Sequence, residues 1–274
     1  GEELSVATFV PPSHETITGA LAWFENELTT RSNGELTLKV YAAGQLGAGP
    51  TQQYKRAVEG VADITFGIAA STPTLFPKTM LAILPGKAVN GPDSTRRMWT
   101  VFDKYMADEW SDVKVLAIGN PAGGMIIATK DVSTIEGMKG TKIVPWAAIT
   151  TPVLQGMGAV PVQLDPTEHY TALSTGTIDA AISSINNIMP PWNLHEVANY
   201  AVVNTPATFN PVFYVMNKER YESLSAKHQK IIDELSGMPF SMQLVQAFHD
   251  ADEVALKWKD EKMSLIQISE PKRP

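Results

Sequence analysis

The sequence predicts an α/β protein built in two lobes. Three observations carry that expectation. Residues 3–70 read as a β-α-β-α-β series, the order of a parallel sheet covered by helices. A second helix–strand series follows "STRRMWTVFDKYMADEW". No repeat, low-complexity tract or long linker separates the two series, so several extended crossings join the lobes rather than one tether.

The elements follow in order. "ELSVATFV" alternates apolar and polar residues and reads as a strand. A helix comes next, capped by Ser13 or a neighbour, with Ala20, Leu21, Phe24 and Leu28 as its apolar stripe and Asn33-Gly34 as its stop. "ELTLKVYAA" alternates again, the turn "GQLGAGP" leads to the helix "TQQYKRAVEG", and "ADITFGIAA" reads as a buried strand. The second series holds "VKVLAIG", "GMIIATK", "GTKIVP", a helix over 148–158, extended "AVPVQL", a helix over 166–175, and "TIDAAISS". "FNPVFYVMNKERY" returns as a strand, and helices over 225–236 and 238–262 close the chain.

Composition narrows the function. The 274 residues carry a net charge of −7 and show no basic stripe, which disfavours nucleic acid and anionic membrane surfaces. Without cysteine there is no disulfide, thiolate nucleophile or cysteine metal site. Apolar runs such as "VKVLAIG" are too short to span a bilayer. The chain opens directly on a strand, as expected of a secreted chain whose signal peptide has been removed.

No motif asks for catalysis. "GQLGAGP" and "GNPAGG" match neither GxGxxG nor the P-loop and read as turns and crossings. Two HE pairs, at His14 and His195, do not continue to HExxH, and the five histidines lack ligand spacing. Asp63, Asp165 and Asp179 fall where caps and turns fall. Phe9 and Trp146, by contrast, lie at the carboxyl ends of strands, where an α/β sheet binds ligands.

The order of several segments resembles the DctP family, the periplasmic solute-binding proteins of TRAP (tripartite ATP-independent periplasmic) transporters. "SHETITGALAWFENELTTRSNGELTLKVYAAGQLGAGP" resembles the family's opening, "STIEGMKGTKI" its "DLKGLKI", and "GMGAVPVQLDPTEHYTALSTGTIDAAISS" its "LGA-PVP" stretch. "VMNKERYESLSAKHQKIID" resembles its ending. The resemblance covers nearly the whole chain. It implies a two-lobed periplasmic-binding-protein-like fold whose lobes close around a small organic solute, with a long C-terminal helix spanning both. Lobe 1 is expected over 1–122 plus 207–245 and lobe 2 over 123–206 plus 246–274. It also implies delivery to TRAP membrane permease subunits, a periplasmic monomer, and neither catalysis nor a cofactor.

In that family an arginine after "LKI" holds a solute carboxylate. Here Gly140 to Gly158 is one residue shorter than the pattern, and the shortfall falls between Ile143 and Val144. A second arginine position falls on Ile126, and the family's asparagine on Ser183. Phe9 and Ile68 fall where other members carry polar contacts. The expected ligand-contacting set is therefore Phe9, His14, Ile68, Ser71, Ile126, Val144, Trp146, Ser183, Phe209 and Phe213. A carboxylate buried without a cation is costly. The reading thus favours a small amine or amino alcohol, or a neutral solute, over an organic acid held in a non-standard pocket.

Overall fold

The computed structural model describes residues 1–83, 90–122, 124–203, 210–262 and 267–269. The chain divides into two compact units. The first is Gly1–Ala82, Gly91–Pro121 and Asn210–Phe248; the second is Ile83–Asn90, Ala122–Phe209 and His249–Pro274.

The first unit holds strands β1 (Glu2–Ala7), β2 (Leu36–Tyr41), β3 (Ile64–Ile68), β4 (Val113–Gly119) and β10 (Val212–Asn217). They form one sheet in the order β2-β1-β3-β10-β4. Strands β1, β2 and β3 pair in parallel, and β10 runs antiparallel between β3 and β4. Its helices are α1 (Ala22–Arg31), α2 (Gln53–Val58), α3 (Gly91–Tyr105), α7 (Lys218–Glu222) and α8 (Ala226–Leu235).

Period-2 alternation gives this sheet two apolar faces. On one, Leu4, Val6, Leu36, Ile64 and Tyr214 pack with Phe24, Leu28, Ile232 and Phe240. Phe24 stacks on Phe240 with centroids 4.4 Å apart, and Tyr214 donates its hydroxyl to the Thr16 carbonyl at 2.8 Å. On the other face Tyr54, Phe76, Trp110 and Phe213 form an aromatic cluster. Trp110 donates its indole N–H to Thr79 Oγ1 at 3.0 Å, so the buried ring leaves no donor unmet.

In the second unit the sheet order is β11-β9-β5-β8-β6-β7. Its strands are β5 (Gly124–Ala128), β6 (Lys142–Val144), β7 (Val160–Pro161), β8 (Ala180–Ser184), β9 (Tyr200–Val203) and β11 (Gln267–Ser269). Helices α4 (Ile135–Met138), α5 (Thr151–Gly156) and α6 (His169–Thr175) cover it. One face buries Met125, Ile127, Val144, Ala181 and Leu173; the other buries Ile126, Ile143, Ile182, Val202 and Leu154. Helix α9 (Met238–Lys262) begins in the first unit and ends in the second.

Three expectations change. The first helix starts not as α but as a π-helical segment, Thr16–Leu21, before α1. "AVPVQL" yields only the two-residue β7, because Pro161 has no N–H to donate to a ladder. Strands β9 and β11, too short and too weakly patterned to read from sequence, complete the second sheet.

Candidate functional site

In the first unit β1, β2, β3 and β4 all leave the sheet at one edge, since β10 is antiparallel to both β3 and β4. Phe9 lies two residues past β1, half-buried, and stacks on Phe66 with centroids 5.7 Å apart. Ile68 ends β3, pairs with Val212 and is half-buried. Ser71 closes the 3-10 turn Ala69–Ser71 and is also half-buried. Asn120, past β4, is fully buried; its amide donates to Ser94 Oγ at 2.7 Å and its backbone N–H to Thr95 Oγ1 at 2.9 Å.

His14 stands before the π-helical segment. Its Nδ1 accepts the Thr16 backbone N–H at 3.2 Å and lies 2.8 Å from Thr16 Oγ1. A ring nitrogen that accepts carries no proton, so the neutral imidazole holds its proton on Nε2. Burial lowers the pKa of His14 and outweighs the raising influence of Glu15. The ring meets Phe248 edge-on at 5.9 Å, and Nε2 lies 3.6 Å from Glu15 Oε1.

In the second unit β6 and β8 are parallel and leave their sheet together. Trp146, two residues past β6, is half-buried against the cluster containing Ile126 and Ile143. Ser183, in β8, is 4% exposed and accepts a hydrogen bond from Asn187 Nδ2 at 2.8 Å.

The ten expected contact residues do not all converge. Ile126 pairs with Ile182, two positions inside the ladder, and its side chain belongs to one apolar face; Val144 belongs to the opposite face. The two positions where arginines were expected to be replaced therefore do not share a pocket wall. Phe213 is 1% exposed and enclosed by Tyr54, Phe76 and Trp110, which makes it a core ring. Phe209 lies outside the described residues. Phe9, His14, Ile68 and Ser71 lie at or past the ends of strands on the exit edge of the first sheet, and Trp146 and Ser183 at or near strand ends on that of the second. Beside the expected residues the structure places Glu15, 3.6 Å from His14, and Asn187, which donates to Ser183; the Asn187 pairing is visible only in side-chain geometry.

The charge pattern is specific. From Ile143 to Asn217 the sequence contains no lysine and no arginine. Residues 7–22, 41–53 and 68–77, which leave the first sheet, contain none either. Among the described residues no group of three or more His, Asp or Glu is placed to hold a metal ion. No helix among them is long and apolar enough to cross a membrane.

The family model described as "Bacterial extracellular solute-binding protein, family 7", DctP, matches residues 6–274. A marine-metagenome TRAP solute-binding protein, specific for aromatic acid ligands and solved with metahydroxyphenylacetate, is 27% identical with a TM-score of 0.87. The match covers 100% of this chain and 86% of that one. A TRAP solute-binding protein from Rhodoferax ferrireducens T118, solved with copurified benzoate, is 26% identical with a TM-score of 0.86, over 99% and 85% of the two chains. The outer membrane transporter protein TsaT of Comamonas testosteroni is 26% identical over 76% of this chain, which spans 63% of that relative's length. With the family model matching nearly end to end, the chain belongs to the DctP family of TRAP-transporter solute-binding proteins, which are extracytoplasmic transport proteins and not enzymes.

Proposed function

We propose that this protein captures a small aromatic acid outside the cytoplasm and delivers it to a TRAP membrane permease. The observation that carries the reading is Trp146, a half-buried ring at the exit of β6; Ser183 and Asn187 form a neutral hydrogen-bonded pair at the end of β8. A ring face takes up an aromatic body, and hydroxyl and amide groups meet its polar end. Relatives 26–27% identical bind metahydroxyphenylacetate and benzoate, which supports the same solute class. With no lysine or arginine between Ile143 and Asn217, neutral donors and backbone N–H groups replace a guanidinium clamp.

A second reading is a small amine. The same cation-free stretch removes repulsion of a cation, and Trp146 offers a face for cation–π attraction. Titration calorimetry with benzoate, benzyl alcohol and benzylamine separates the two. The proposal expects benzoate to bind tightest, with an affinity that changes less than about twofold between low and high salt, since no exposed cation is screened. Trp146→Ala should cost about 1–2 kcal/mol of affinity, the scale of a desolvated ring contact. Preference for benzylamine would install the amine reading, and benzoate binding undiminished in Trp146→Ala would remove Trp146 from the site.

A further inference from the structure

We infer that His14 and Glu15 form a hydroxyl-reading pair, which selects aromatic acids carrying a ring hydroxyl over unsubstituted ones. The inference rests on the aromatic-acid reading above and adds a selectivity to it.

Thr16 presents its backbone N–H to His14 Nδ1 at 3.2 Å, with its hydroxyl oxygen 2.8 Å away. Nδ1 is thus committed as an acceptor, and Nε2–H is left as a donor. This donor is held in place, because the ring is pinned at Nδ1 and bounded by Phe248 at 5.9 Å. The side chain keeps 26% of its surface.

Glu15 supplies the complementary group. Its Oε1 lies 3.6 Å from Nε2, too long for a direct hydrogen bond and short enough for one oxygen to touch both. A hydroxyl is the small group that accepts from a donor and donates to an acceptor at once. Placed at hydrogen-bonding distance from each, it accepts from His14 Nε2–H and donates to the Glu15 carboxylate. A carboxylate takes several hydrogen bonds, so this contact adds to those Glu15 already makes. An ether oxygen satisfies only His14, and a carboxylate placed there meets Glu15 as a like charge. The pair therefore distinguishes hydroxyl from methoxy, hydrogen and carboxylate at one position of the solute.

The location fits a binding role. The pair follows β1 at the sheet edge that also carries Phe9 and Ser71, and it opens a π-helical segment, a form that recurs at functional sites.

The test compares 3-hydroxybenzoate, 3-methoxybenzoate and benzoate by titration calorimetry on the wild-type chain and on Glu15→Ala and His14→Asn. Asparagine keeps a side-chain acceptor for the Thr16 N–H but deletes Nε2–H, so the helix start survives; a thermal melt checks this. The wild type is expected to prefer 3-hydroxybenzoate over both others by about tenfold or more, the scale of a charge-assisted hydrogen bond made to a solute. Both variants should bring that ratio close to one, as expected when the hydroxyl contact is lost. Equal wild-type affinity for all three ligands overturns the pair and leaves the aromatic-acid reading standing. A preference that persists in both variants also overturns it. Failure of all three acids to bind removes both readings together.

Discussion

At the scale of single residues, close packing decides more than charge. Gly67 sits in β3 where a Cβ would lie 2.4 Å from Phe213 Cζ and 3.1 Å from Gln53 Cβ. The Phe213 ring has no room to retreat, since Trp110 lies 5.4 Å away and Tyr54 and Phe76 close the other sides. Gly67→Ala should therefore destabilise by about 1–3 kcal/mol, the cost of overpacking a filled core. Chemical denaturation measures it, and Phe213→Leu in the same chain should recover part of the loss. Full stability in Gly67→Ala would mean that the ring moves freely. The pair also shows what the sequence hid. Phe213 was legible as an aromatic on a returning strand, but not its face. Ile126 and Val144 fail for the same reason: counting along the chain places them near strand ends, whereas the pleat and the β5–β8–β6 register send them to opposite sides.

Among whole elements, termini and caps were the most legible features. Helix α8 starts one residue inside its expected bound, capped by the Ser225 side chain on the His228 N–H, and α9 matches its expected span. Asn33 and Gly34 take φ values of 51° and 79°, as the expected stop after α1 requires. The caps that sequence does not disclose are those that also bridge elements. Asn217 ends β10, accepts the Arg220 N–H at 2.8 Å, and donates to the Ala57 and Val58 carbonyls at 2.8 and 3.2 Å. Asn217→Asp keeps the cap but turns a carboxylate toward two carbonyls. It should cost as much as Asn217→Ala, on the order of 1–3 kcal/mol. If Asn217→Asp proves as stable as wild type, the α2 contact carries no weight.

Helix α6 supplies a pH response. His169 at its start is 4% exposed, and its Nε2 has no hydrogen-bond partner among the described residues. Burial lowers its pKa more than Asp165 and Glu168 raise it. Above the unfolded value of about 6.5 both states are neutral and its contribution to stability is complete. As pH falls through that value the unfolded chain takes up a proton the folded helix resists. Stability then declines until the folded pKa is reached. Urea midpoints should fall from pH 7.5 to 5.5, and less steeply in His169→Gln. Identical slopes would assign the response to other groups.

For the molecule as a whole, a bound solute should raise stability by mass action, about 2.7 kcal/mol at a hundredfold excess over Kd. A thermal melt with and without benzoate reads this directly, and an unmoved midpoint at saturation counts against the proposed solute. The antiparallel strand β10 has a different consequence, one of timing. It sits between β3 and β4, yet the chain reaches it only after the strands β5 to β9 of the other unit. As the chain emerges, β4 has no sheet partner among the described residues until 212–217 appear. The first unit must wait, half-assembled, while the whole stretch from 122 to 203 passes. Such distant pairing slows folding and prolongs the exposure of unpaired strand edges. A chain ending at residue 203 should thus lack protection from hydrogen exchange along β4, although β4 itself is intact. For a protein that crosses a membrane before it works, late completion keeps the nascent chain unfinished, and therefore threadable, until residues 212–217 have been made.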